Sequence, residues 1–61
     1  MSEFFEINEK FENDGIGIRY ELALIDFCVE KLSSELGENV NFNIVDCIVK
    51  SDKVIVEYIL L

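Results

Sequence analysis

The stretch ELALIDFCVEKLSSEL, residues 21–36, decides the fold because it predicts a helix more strongly than any other part of the chain. Its apolar residues recur at three- and four-residue spacing, which places them on one stripe of a helix about 24 Å long. Gly37 follows at once, where a left-handed C-terminal cap is expected. The predicted packing stripe consists of Leu22, Ile25, Val29, Leu32 and Leu36.

The residues after the helix predict a β-hairpin. Apolar and polar residues alternate from Val40 to Ile44, and the alternation then shifts by one position. A β-bulge near Val45 accounts for the shift, because a bulge inserts one extra residue into a strand. The polar residues 50–53 predict the turn, and residues 54–61 alternate again as the last strand. One face of that strand comprises Val54, Val56, Tyr58 and Leu60.

The first twenty residues allow two interpretations. Read as a helix, Phe4, Ile7 and Phe11 are correctly spaced, but Glu12 would lie at the negative end of the helix dipole. Read as a strand, the region leads into the Asn-Asp-Gly of residues 13–15, which favours a hairpin turn because Asp-Gly tolerates positive φ. We prefer the hairpin. The predicted fold is α+β, a small antiparallel sheet with one helix packed across it in the order ββαββ, with ααββ as the alternative.

Size and charge narrow the class of protein. The chain (1–61) fits one domain near the lower size limit for folding without disulfides or metals. Thirteen acidic and five basic residues give a net charge of −8, and 51% of the residues are hydrophobic. So negative a field attracts basic proteins and repels nucleic acid and anionic lipid. A monomer this small cannot readily bury so many apolar residues, so we expect a homodimer or docking on a partner.

The residue types that catalysis and cofactor binding need are missing. The chain has no histidine, the usual general base near neutral pH. Asp46 and Cys47 are neighbours on a strand, so their side chains point to opposite faces. Residues 15–17 lack the remaining glycine of a phosphate-binding loop, and an EF-hand loop aligned on Gly15 would place Lys10 at its first ligand position. We predict a non-enzyme with no catalytic residue, metal or cofactor.

Cys28 and Cys47 lie in separate predicted elements among hydrophobic residues, which favours two buried thiols over a disulfide. The acidic start predicts no secretory signal. The longest apolar runs are four residues, too short for a bilayer. We therefore expect a cytoplasmic location, in the host cytoplasm if the chain is viral.

The charged and apolar residues that do not fit the predicted core suggest a binding surface. Five carboxylates crowd the first fourteen residues, and Asp26 and Glu30 on the helix form a second group, so they could take the place of nucleic-acid phosphates in a basic groove. Leu24 and Phe27 lie off the predicted stripe; either the N-terminal segment folds over them or they anchor an interface. The predicted partner-binding residues are Glu3, Glu6, Glu9, Glu12, Asp14, Leu24, Asp26, Phe27 and Glu30.

These observations lead to two hypotheses from different classes. In the first, the chain is a small acidic protein-binding module, an inhibitor or modulator that docks on a basic, nucleic-acid-binding surface of a partner protein. Such DNA mimicry is typical of compact viral or mobile-element proteins. In the alternative, the chain is a homo-oligomeric structural or adaptor protein, whose last strand pairs with a second copy if it lies at the sheet edge.

Overall fold

The computed structural model describes all 61 residues, which form one helix, three strands and the segments that connect them. The strands form one antiparallel sheet in the order β1-β3-β2. Because β1 and β2 both run against β3, they are parallel to each other, and the chain passes from one sheet edge to the other through the helix. The elements are β1 (Glu3–Ile7), α1 (Ile18–Leu36), β2 (Phe42–Val49) and β3 (Val54–Leu60).

The predicted α+β class, with one helix and an antiparallel sheet, is confirmed, but the predicted orders ββαββ and ααββ are both wrong. The order is βαββ. The Asp-Gly hairpin turn expected at residues 13–15 is not formed, because neither Asp14 nor Gly15 has a positive φ. Instead, the Asn13 side-chain oxygen accepts a hydrogen bond from the Gly15 N–H at 2.7 Å. The chain then enters the helix instead of a return strand. Tyr20 favours this outcome because, within the helix, its ring packs against that of Phe11, with centroids 5.5 Å apart.

Helix α1 packs a different face on the sheet from the one predicted. Leu24, Cys28 and Leu32, four residues apart, are its buried residues. Leu24 is therefore a core residue, which corrects its predicted position off the packed stripe. Leu22 and Ile25, predicted to be packed, are instead 55% and 45% exposed. Both stripes are apolar, so spacing alone does not determine which one faces the sheet.

The helix ends at Leu36 before Gly37, as predicted, but the ψ of Gly37 is 154°, so the cap is not the left-handed one expected. Gly37 follows Leu36 with a φ of 104°, a value that L side chains rarely adopt. Its N–H donates a hydrogen bond to the Ser33 carbonyl at 2.9 Å, which satisfies one of the free carbonyls of the last turn.

The hairpin and its bulge are confirmed. Ile44 pairs with Tyr58 and Asp46 pairs with Glu57, so Val45 is the extra residue. The turn is closed by a hydrogen bond from the backbone N–H of residue 50 to the carbonyl of residue 53, at 2.8 Å. Strand β3 lies in the centre of the sheet, so the predicted pairing of a second copy with an edge at this strand is wrong. The free edges belong to β1 and β2.

The core is small for so apolar a chain. Total accessible surface is 4,535 Å², whereas the size scaling for compact monomers gives about 4,000 Å² at this mass. Fourteen large hydrophobic residues are exposed and contribute to this surface. The buried residues are Ile7, Leu24, Cys28, Leu32, Val54, Val56 and Tyr58.

Candidate protein-binding surface

The flank of α1 that lies towards β1 is covered by the connecting segment, residues 8–17. Phe11 packs against Phe27, with ring centroids 5.2 Å apart. The ammonium group of Lys31 lies 5.7 Å from the centre of the Phe27 ring and forms a 2.6 Å ion pair with Glu9. Phe27 is therefore half-buried inside the molecule. Of the two explanations for this residue, the structure supports the one in which the N-terminal segment folds over it.

The opposite flank of α1, towards β2, is bare. Leu22, Ile25 and Val29 on this flank are 55%, 45% and 38% exposed. Between the flank and strand β2 lies a groove of about 570 Å³, which we call the α1–β2 groove. Seven of its ten lining residues are hydrophobic: Leu24, Ile25, Val29, Phe42, Ile44, Val45 and Cys47.

Two of the three polar residues of the α1–β2 groove carry negative charge. The three are Glu21, Asn43 and Asp46, and no basic side chain lines the groove. Glu21 is in the first turn of α1, where the helix dipole favours a carboxylate. The groove is thus an apolar surface bordered by acids, complementary to a ligand that is apolar and cationic.

The free edge of β2 is partly blocked. In an antiparallel pair, hydrogen-bonded and non-hydrogen-bonded residue pairs alternate along the strands. Residue 50 is hydrogen-bonded to residue 53, so alternate residues of β2 (Ile48 and Asp46) direct their N–H and C=O groups towards β3. Cys47, between them, directs its N–H and C=O groups away from β3, towards the free edge. The Cys47 N–H donates to the Asp46 carboxylate at 2.9 Å. Together with the bulge at Val45, this charge hinders the addition of another strand.

The N-terminal carboxylates that could replace nucleic-acid phosphates are partly neutralised by ion pairs. Three of the five are paired with lysines on exposed surface, where an ion pair contributes little stability. The hydrogen bond from Lys10, and then its charge, lowers the pKa of Glu12. The same kind of hydrogen bond, from Lys31 to Glu9, raises the pKa of Lys31. The pairs are Glu6–Lys53 at 3.3 Å, Glu9–Lys31 at 2.6 Å and Glu12–Lys10 at 2.7 Å.

The other predicted acidic site residues form no ion pair. Glu3 begins β1 and Asp14 lies in the connecting segment, both exposed. Asp26 and Glu30 are exposed on the surface of α1 that points away from the sheet. They are four residues apart, so their carboxylates are neighbours on one helix face. The unneutralised acids are therefore distributed over several faces of the molecule.

A second apolar area lies on the face of the sheet opposite the helix. Phe4, Ile48 and Ile59 are 64%, 43% and 39% exposed there. Glu57 lies among them, directly opposite Phe4 on one neighbouring strand. Its carboxylate accepts a hydrogen bond from the Ser2 hydroxyl at 2.7 Å. We call this area the outer sheet face.

The cysteines are both free thiols: Cys28 is buried and Cys47 is half-buried. Burial, and to a lesser extent the hydrogen bond with Cys47, raises the pKa of the Cys28 thiol to about 12. Cys28 is therefore protonated at neutral pH and is not a nucleophile there. No cluster of three or more His, Cys, Asp or Glu side chains is arranged to hold a metal ion. Helix α1 does not combine the length and the apolar character needed to cross a membrane.

The α1–β2 groove is hard to predict from the sequence, because the spacing of Ile25 and Val29 places them on the predicted packing stripe. The signal that could have found it is the width of the apolar surface on α1, which covers more than the single face a sheet can bury. Comparison with known proteins adds no relative: no protein-family model, curated protein or solved structure matches the chain significantly.

Proposed function

We propose that this chain is a small acidic protein-binding module that docks on a basic surface of a partner protein. The observation that carries the proposal is the difference between the two flanks of α1. One flank is closed by Phe11, whereas the other leaves Leu22, Ile25 and Val29 exposed beside an acid-bordered groove. A contiguous apolar area rimmed by charge is typical of a protein-binding site.

Burial of the bare flank would supply affinity. Complete burial of an aliphatic side chain contributes about 1.5–3 kcal/mol, so half-exposed Leu22 and Ile25 would add about 1 kcal/mol each. The net charge of −8 would add little affinity but would accelerate encounter with a cationic partner. Basic surfaces of this kind are common on nucleic-acid-binding proteins. The chain would therefore act as an inhibitor or modulator by occupying such a surface.

The test is affinity capture on the immobilised chain at about 50 mM and about 500 mM salt, because screening shortens the reach of charges. The captured proteins should be strongly basic, should dissociate at the higher salt and should be displaced by duplex DNA. A charge reversal of Glu6, Glu9 and Glu12 to lysine provides the matched control for electrostatic attraction. Capture of neutral proteins that resist both salt and DNA would contradict the proposal.

A second function, a homo-oligomeric structural or adaptor protein, is favoured by the outer sheet face. Phe4 at 64% exposure and Ile59 at 39% would be covered if two copies packed their sheets together. Light scattering combined with Phe4→Asp distinguishes the two functions. A tight dimer that dissociates on this substitution, with no basic partner captured, would favour the homo-oligomer.

A further inference from the structure

We infer that the α1–β2 groove receives an amphipathic cationic helix of the partner. The apolar residues of that helix would pack on Ile25 and Val29, and its Lys or Arg residues would lie beside Glu21 and Asp46. This inference rests on the proposed function and deepens it, because it assigns the docking site and the chemistry of the segment that docks.

Charge decides between a foreign segment and a second copy of the chain. Two acidic residues, Glu21 and Asp46, and no basic residue line the groove. A second copy would bring a further net charge of −8, which costs energy when like charges are brought together out of water. A cationic segment neutralises Glu21 and Asp46 while its apolar side chains cover the groove. The complementary ligand is therefore apolar on one face and basic at its margins.

Edge geometry decides between a helix and a strand. Strand addition needs a free row of N–H and C=O groups along β2. The bulge at Val45 interrupts that row, and the Asp46 carboxylate already accepts a hydrogen bond from the Cys47 N–H at 2.9 Å. A helix satisfies its own backbone groups, so it needs only side-chain contacts. A groove of about 570 Å³ accommodates a few anchoring side chains.

Three synthetic peptides of about 15 residues serve as probes. The first carries Leu at helical spacing with Lys elsewhere, and the second replaces every Lys with Glu. The third has the composition of the first but alternates Leu and Lys, the period of a strand. We expect the first to bind at least about tenfold more tightly than the third, and the second not to bind. Amide chemical shifts should change at Ile25, Val29 and Val45, and not on the outer sheet face.

Variants separate docking from general attraction between opposite charges. Ile25→Asp adds negative charge to the groove, so attraction alone would tighten binding of the cationic peptide. We expect it to weaken binding at least about tenfold, because an apolar contact is lost. Ile59→Asp makes the same change on the outer sheet face and should alter affinity by no more than about twofold. Circular dichroism checks the fold, and Leu22→Asp, at the most exposed position of the flank, replaces Ile25→Asp if that variant unfolds.

Three results would overturn the inference: unchanged or tighter binding to Ile25→Asp, preference for the strand-period peptide, or groove shifts that change with protein concentration in the absence of peptide. The last would show that a second copy occupies the groove. Failure of this inference can be distinguished from failure of the proposed function. If basic proteins are still captured by Ile25→Asp, the function stands without this docking site.

Discussion

Leu22 and Leu24 offer a matched pair of substitutions that tests which face of α1 is packed. Both are leucines in the first half of the same helix, so Leu→Ala changes helix propensity equally at each. Leu22 is 55% exposed and Leu24 is 9% exposed. The apolar spacing of the sequence predicts the opposite, with Leu22 on the packed stripe.

The expected magnitudes differ enough to measure. Truncation of a buried leucine leaves a cavity and costs about 2–5 kcal/mol, and the partly open edge of this core places Leu24→Ala near the lower figure. Leu22→Ala should cost less than about 1 kcal/mol, since more than half of its surface already meets water. Total stability for a chain of this length is about 3–9 kcal/mol. Leu24→Ala should therefore remove a large share of it.

The assay is urea unfolding followed by far-ultraviolet circular dichroism at several protein concentrations. With a slope of about 1 kcal/mol per molar urea, Leu24→Ala should lower the midpoint by about 2 M, and Leu22→Ala by less than about 1 M. Equal midpoints, or a larger loss for Leu22→Ala, would refute the packing described for α1. Concentration-dependent midpoints would show that association contributes to the measured stability.

Three further predictions concern the rest of the fold. Gly15→Ala should destabilise by about 1–3 kcal/mol on thermal unfolding, because the new Cβ would lie 3.0 Å from the Tyr20 backbone nitrogen. Phe11→Ala should speed proteolysis at Lys10, since Phe11 fixes the connecting segment on Tyr20 and Phe27; Phe4→Ala is the control and should leave that rate unchanged. The Cys28 thiol has a pKa of about 12 in the folded protein, against an ordinary value of 9.0. The stability contributed by the buried, protonated thiol is therefore complete below pH 9 and is lost as pH rises, because the unfolded chain then releases the proton first. The unfolding free energy should then fall by up to about 1.4 kcal/mol per pH unit above pH 9, and Cys28→Ala should lack this component.

Local patterns in the sequence predicted the second half of the chain well. The hairpin, the bulge at Val45 and the glycine at the end of α1 follow from neighbouring residues alone. The first half depends on tertiary contacts. The Asn-Asp-Gly of residues 13–15 suits a hairpin turn as well as the Asn13–Gly15 side-chain turn observed, and the packing of Tyr20 on Phe11 favours a helix after it. The central place of β3 also depends on where β1 docks, which no local pattern indicates.

The candidate site was predicted in its chemistry but not in its position. The acidic character and the excess of apolar surface follow from composition. Which carboxylates remain free depends on long-range pairs such as Glu6 with Lys53, which are 47 residues apart. The α1–β2 groove arises because the connecting segment closes only one flank of a helix that is apolar on both. Spacing alone could not show which flank that would be.

Docking of a basic partner in the α1–β2 groove is tested most directly by titrating a captured basic partner into the Ile25→Asp and Ile59→Asp variants at low salt and comparing the two affinities. Both variants add the same charge at similarly exposed positions, 45% and 39% in the unmodified chain. Docking in the α1–β2 groove predicts that Ile25→Asp lowers affinity at least about tenfold while Ile59→Asp leaves it nearly unchanged. Equal affinities, or a loss confined to Ile59→Asp, would contradict it.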